Sequence, residues 1–319
     1  MVGGPHTKLN NLDNCQDSTI SNILEENFIL FYDWGLLDRG GFFNIKIPQS
    51  GIYGGDRHVL RSVDTPNYTD GKVWEGYREN WVWESGVDGV SEQPISISGV
   101  FVEDQFYATG NVAKPFYVDY RNGRVVFDSA IATTSKVHLE YSHKWASVIP
   151  SRGVPWFRQV QQRSFRSEKG FQVSNSGGWA MLGQTRVQLP AIAVEVVPTE
   201  SLQGYQIGGG QWVNSKVIFY VITENDWECK NLIDSISYQN DRTIHLFDPT
   251  RIAMSGAMPF NYRNELNENA IPSGLYPNLV DNFFYRRCWI NNSRSDGVSE
   301  LSPDLYMGVA KCSTQVKAI

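Results

Sequence analysis

Cysteine is scarce in this chain of 319 residues, and its four copies, Cys15, Cys229, Cys288 and Cys312, lie too far apart to form a CxxC pair. That spacing excludes a disulfide scaffold and a zinc knuckle. Histidine is equally sparse: His6, His58, His138, His143 and His245 fall in no HExxH helix, and no GxSxG elbow accompanies them. Runs of positive charge are missing too. With a net charge of -6, the chain lacks the basic surface that general phosphate binding needs. Its densest basic stretch, Arg158 to Lys169, is interleaved with Gln, Ser and Phe and reads as a solvated connector. No apolar run approaches the roughly 18 residues of a membrane span. The opening residues, with Gly3, Gly4, Pro5 and Asn10, lack the basic and apolar regions of a signal peptide, so cytosolic synthesis with reduced thiols is expected.

Aromatic residues are abundant. Ten Trp, fifteen Tyr and sixteen Phe make up 13% of the chain, and such side chains supply the largest contact areas in cores and interfaces. The 41% hydrophobic and 19% charged fractions are globular values.

The pattern predicts an α+β, β-rich protein. Ile20, Ile23, Leu24 and Phe28 have helical spacing within an N-terminal helical segment, 1-41, which breaks near Phe31 to Gly35. Residues 42-149 read as short strands and turns of an antiparallel β-sandwich or open barrel. Within them, Asn122-Gly123 marks a hairpin between Phe116–Tyr120 and Arg124–Phe127, because both residues tolerate positive φ. On the strand Lys136–Tyr141, His138 and its neighbour His143 are expected to be exposed or partly satisfied, with a metal pair a remote alternative. A linker or long loop, 150-186, follows. Residues 187-248 form a sheet-and-helix module. Its run Val217 to Ile222 is apolar at nearly every position and predicts a central strand covered on both faces. Asn225 then supplies an N-cap, and Cys229, Leu232, Ile233 and Ile236 give an amphipathic helix. The remainder, 249-319, reads as an Asn/Pro/Tyr-rich arm with a possible returning strand at Leu305 to Ala310.

Two features invite a functional reading. The glycines Gly208-Gly209-Gly210 precede Gln211-Trp212 and a strand, where a phosphate loop requires a helix N-terminus, so they read as a hairpin turn. The cluster Trp74, Tyr77, Trp81 and Trp83 fits either a core or interface, or a platform for sugar rings. A pair of acids for glycoside hydrolysis is not singled out by any spacing. No cofactor and no metal is expected, and the aromatic candidates for an assembly interface are Trp74, Trp81, Trp83, Tyr205, Trp212, Trp227 and Tyr238.

Several runs resemble virion structural proteins of tailed bacteriophages: Tyr117 to Asp128 (YVDYRNGRVVFD), Val187 to Pro198 (VQLPAIAVEVVP), Tyr205 to Gly210 (YQIGGG), Phe219 to Asn225 (FYVITEN) and Asn231 to Gln239 (NLIDSISYQ). The second half resembles the neck and tail-terminator family. That resemblance implies a non-enzymatic subunit of a homomeric ring, six- or twelvefold, in the virion's head-tail connector, as terminator or collar. Its partners would be neighbouring neck, tail-tube or sheath proteins, with DNA passing through without specific binding and no membrane. It also implies assembly in the host cytoplasm. A baseplate or receptor protein that binds glycans is the alternative reading, and a glycan-active enzyme is a third.

Overall fold

The computed structural model describes residues 20–47, 57–65, 67–84, 87, 89–151, 188–206, 209–246, 287–302 and 305–318. The expected linker, apart from Pro150 and Ser151, and most of the expected arm lie outside those residues. The fold is α+β and β-rich, as the sequence predicts: fifteen strands in curled sheets and two helices are described.

The first half builds a seven-stranded antiparallel sheet from short strands. These are β2 (Val59–Ser62), β3 (Val73–Glu75), β4 (Gly99–Val102), β5 (Gln105–Ala108), β6 (Phe116–Asp119), β7 (Arg124–Phe127) and β8 (Val137–His138), in the spatial order β5-β4-β8-β2-β3-β7-β6. A ribbon of β1 (Phe42–Ile45) with β9 (Tyr141–Lys144) stands beside it. Trp74, Trp81, Val100, Val125, Phe127, Val137, Leu139 and Tyr141 fill one core. The β6–β7 hairpin turns where expected. Gly123 adopts φ 58, and a side chain there would collide with the Arg78 carbonyl. The Asp119 carboxylate secures the turn by accepting from Asn122 and from Arg124 Nε at 2.9 Å.

The second half is a six-stranded mixed sheet, ordered β10-β11-β12-β15-β14-β13. Two long hairpins dominate it: β11 (Ala191–Gln206) with β12 (Gly209–Thr223), and β14 (Arg287–Ser302) with β15 (Leu305–Ala318). Strand β10 (Ser147–Pro150) runs parallel to β11, and β13 (Thr243–His245) closes the opposite edge. Helix α1 (Ile20–Asp38) and helix α2 (Asp226–Ser237) pack on one face of this sheet. Phe28 and Tyr32 of α1 meet Phe219 of β12 edge-on at 5.8 and 5.0 Å. Cys229, Leu232, Ile233 and Ile236 of α2 point into the same core, at the predicted helical spacing. Asn225 caps α2, its side-chain oxygen accepting from the Glu228 N–H at 2.8 Å.

Several expectations are corrected. Helix α1 does not stop near Phe31; it continues to Asp38 because Tyr32, Trp34 and Leu37 are buried against the strands and loops beyond it. The module at 187-248 is not self-contained. Its core is completed by α1, by β10 and by the β14–β15 hairpin. Residues 287–318, expected to belong to an arm with one short returning strand, instead supply two full strands, and β15 sits at the sheet's centre between β12 and β14. Strand β12 is covered along its length on one face, where Val217, Phe219 and Val221 are buried; on the other, Ile222 is buried and Ile218 and Tyr220 are half-exposed. Both His138 and His143 are buried where exposure was one expectation; the other, partial satisfaction, holds for His143, whose Nδ1 lies 3.2 Å from the Lys144 carbonyl.

Candidate assembly surfaces

The seven aromatic candidates separate into two groups. Trp74 and Trp81 are 2% and 0% exposed and belong to the N-terminal core, so neither meets a partner. Trp81 packs on Tyr141 at 4.4 Å and donates its indole N–H to the Arg78 carbonyl at 2.8 Å. It makes only an isolated bridge to His143, so the regular alternation that would align it with Trp83 does not exist. Trp83 is half-buried, with the Lys144 ammonium 5.9 Å above its ring. Tyr205 lies on β11, in a stretch whose side chain is outside the described set. Trp212, Trp227 and Tyr238 reach the surface, on opposite faces of the six-stranded sheet.

The first of these surfaces is the outer side of α2. Trp227 is 72% exposed and Tyr238 is 83% exposed. At 3.6 residues per turn, their spacing of three turns places them within about 20° of each other around the axis. Between them lie Asn231 and Asp234, both exposed. From Glu224 to Arg242 the chain carries five carboxylates, Glu224, Asp226, Glu228, Asp234 and Asp241, against two cations, Lys230 and Arg242, a net charge of -3. Lys230 is bonded to Asp226 one turn back, and Arg242 donates to Gln239 at 2.7 Å.

The second surface is the sheet face turned away from both helices. Strand alternation places Trp212, Asn214, Lys216, Ile218 and Tyr220 of β12 there. Beside them stand Val309, Lys311, Ser313, Gln315 and Lys317 of β15, all half-exposed. Strand β14 adds Arg287, Trp289 and Arg294, with Trp289 42% exposed. One corner of this face is closed by Ala191, Ala193 and Ile222. Its described charges are five cations, Lys216, Arg287, Arg294, Lys311 and Lys317, against Glu195 and Asp296, a net charge of +3 within a chain of net charge -6. Asp296 is bonded to Lys311, and Glu195 accepts from the Tyr220 hydroxyl at 2.8 Å. Sequence reasoning found Trp212 and missed Trp289 and the basic rows. The signal was present in the alternation of Lys311, Ser313, Gln315 and Lys317.

A cleft of about 240 Å³ where the two sheets meet is lined by Phe43, Arg78, His143, Trp145, Glu224 and Glu228 among others. Burial lowers the His143 pKa to about 4, and its Nδ1 contacts the Lys144 carbonyl at 3.2 Å, so the imidazole is neutral at pH 7. Beneath it lies a buried ion cluster. Lys144 Nζ reaches Asp33 Oδ2 at 2.9 Å and Glu84 Oε1 at 2.6 Å, joining α1 to the ribbon and its neighbouring loop. Burial raises the Asp33 pKa to about 6, because desolvation and the nearby Glu84 outweigh the single ammonium that both carboxylates share. For Lys144, burial alone would lower the pKa, but the two carboxylates overcome it and hold the ammonium well above its usual range.

Chemistry elsewhere is muted. Cys229, Cys288 and Cys312 are buried free thiols, and desolvation pushes the pKa of Cys229 to about 11 and of Cys312 to about 12, so both stay protonated. Among the described residues, no group of three or more His, Cys, Asp and Glu is placed to hold a metal ion. Gly209 and Gly210 open β12, with Gln206 of β11 paired to Gly209, so a strand and not a helix follows the glycines; Gly208 lies outside the described residues. No helix among the described residues is long and apolar enough to cross a membrane. Comparison with protein-family models, with curated proteins and with solved structures finds no match to this chain.

Proposed function

We propose that this chain is a structural subunit of a tailed-phage virion, assembling as a homomeric ring in the neck, as tail terminator or collar, to join capsid to tail around the DNA channel. The observation that carries this reading is the pairing of two surfaces on one module. Trp227 and Tyr238 stand exposed on α2, and the opposite face of the sheet carries Trp212 and Trp289. Exposed aromatics of this kind are the usual anchors of protein interfaces. A ring subunit needs two different surfaces, because only heterologous contacts close into cycles of more than two. The resemblance of residues 187–248 to the terminator family supplies the station in the virion. A subunit of this kind works by geometry, and the DNA meets a chain whose net charge of -6 does not grip phosphate.

The glycan-binding alternative loses its platform, since Trp74 and Trp81 are core residues. The test has two arms. Native mass spectrometry of the purified chain is expected to give a closed oligomer, and antibody labelling of the virions that encode it is expected at the head-tail junction. Labelling confined to the baseplate or fibres, or none on the virion, overturns the reading.

A further inference from the structure

Resting on the ring reading, we infer that the ring closes through one specific contact: the acidic α2 face of one copy, carrying Trp227 and Tyr238, docks on the basic open sheet face of the next copy, around Trp212 and Trp289.

Charge selects the partner. The described charges of the two surfaces are equal and opposite, -3 on the helix side and +3 on the sheet side. Joining two helix faces, or two sheet faces, in a two-fold dimer would place like charges against each other, which is the negative element that rejects wrong partners. Joining helix face to sheet face makes both ends attractive at once. The two surfaces lie on opposite sides of the same sheet, because the core that α2 seals is on the face away from Trp212 and Trp289. No copy can therefore satisfy its own pair. The contact is head-to-tail, and a rotation that closes turns it into a ring.

The side chains match in kind as well. The sheet face offers flat, half-exposed rows, Trp212 opposite Lys317 and Trp289 opposite Gln315. Trp227 and Tyr238 project from a helix, one near each end, so a helix laid across the strands presents one aromatic to each region of the face. Aromatic anchors carry affinity in such interfaces, while surrounding charges set orientation and encounter rate. Lys and Arg stems on the sheet face also give an apolar floor for aromatic rings. DNA is the other occupant that a basic aromatic face admits. The second copy is favoured because the same chain presents a surface of matching opposite charge that itself exposes two large aromatics.

The experiment uses two charge-reversed chains, Asp234→Lys with Asp241→Lys on the helix side, and Lys216→Glu with Lys317→Glu on the sheet side. Each change moves its face by two charges, so the helix side goes from -3 to +1 and the sheet side from +3 to -1. Either variant alone then has two faces of like sign, and its self-association in low salt, read by sedimentation velocity, is expected to weaken by at least about tenfold. An equimolar mixture of the two is expected to reassemble, because each variant's surfaces complement the other's. Trp227→Ala is expected to weaken association without shifting the melting temperature, which controls for folding. In the wild-type oligomer, zero-length carbodiimide coupling is expected to join carboxylates of residues 224–241 to Lys216, Lys311 or Lys317, a link that only two copies can form. A wild-type oligomer that both reversed variants also form, without those cross-links, overturns this contact and leaves the ring reading standing on another interface. A wild-type chain that stays monomeric at high concentration overturns the contact as well, while virion labelling still decides the ring reading separately. A DNA duplex shifted by the wild type and not by the sheet-side variant, with oligomerisation unchanged in that variant, assigns the face to nucleic acid and overturns the second-copy assignment.

Discussion

Gly308 of β15 lies directly beneath Ile233 of α2: a Cβ at position 308 would collide with the Ile233 Cδ1 and sit 3.2 Å from the Cys229 sulfur. The helix thus rests on bare backbone at the sheet's centre. Gly308→Ala is expected to destabilise the fold by about 1–3 kcal/mol through overpacking. Gly204→Ala, on β11 with no atom within 4 Å of the added methyl, is expected to be near neutral and serves as the control. Urea unfolding of both variants measures the difference.

The buried cluster at Lys144 gives a second expectation. Lys144→Met leaves Asp33 and Glu84 in a buried site without the ammonium that bonds both. Removing one partner of such a group costs about 3–5 kcal/mol. The loss is expected to be smaller in acid, where Asp33 binds a proton. Thermal unfolding at two pH values, below and above 6, distinguishes this from a simple packing defect, which would be independent of pH.

Asp33 and His143 also predict opposing pH slopes. Asp33 rises from 3.8 unfolded to about 6 folded, so the folded state holds its proton more tightly. That stability is complete below pH 3.8 and is lost as pH rises to about 6, by an amount of order 3 kcal/mol. His143 falls from 6.5 to about 4, so the folded state favours the neutral ring, and its contribution is complete above pH 6.5 and lost as pH falls to about 4. Asp33→Asn is therefore expected to gain on the wild type as pH rises from about 4 to 6. His143→Gln is expected to gain as pH falls through the same window. Denaturant titrations across this range give both slopes, and two slopes of the same sign would contradict the assignment.

Asn225 makes the simplest case. Its side-chain oxygen accepts from the Glu228 N–H at 2.8 Å, and Ala cannot replace that bond. Asn225→Ala is expected to cost about 1 kcal/mol, and Asn225→Ser to restore most of it. Equilibrium unfolding measures both.

Local chemistry in the sequence located what local chemistry controls. Asn225, the spacing of Cys229, Leu232, Ile233 and Ile236, and Gly123 each act within a few residues, and each is where the spacing puts it. The β14–β15 hairpin escaped because its pattern is broken. Register shifts between Asn291 and Arg294, and between Ser295 and Val298, move the alternating face twice, so Asn291 to Ser302 shows no two-residue period. Gly308 hides a buried position, since a residue without a side chain carries no hydrophobic signal. The tryptophans show a further limit. Trp81 and Trp227 are chemically identical, and only the long-range packing against Tyr141 in one case and the polar helix face in the other separates core from surface. For Trp227 and Tyr238 the separation in sequence does report a shared face, once the helix between them is known.

The position of β15 governs when the six-stranded sheet can exist. Val217 to Ile222 of β12 waits for residues 307–312 of β15 before its second edge is hydrogen-bonded, and the whole of α2, β13 and β14 is made in between. A partly synthesised chain therefore has neither a finished α2 seat nor a basic sheet face, since Lys311 and Lys317 belong to β15, which is made after every other described strand of the sheet. Contacts so distant in sequence fold slowly. The strand order acts as a clock: the sheet, and with it both faces of the proposed contact between copies, is complete only once translation has passed β15.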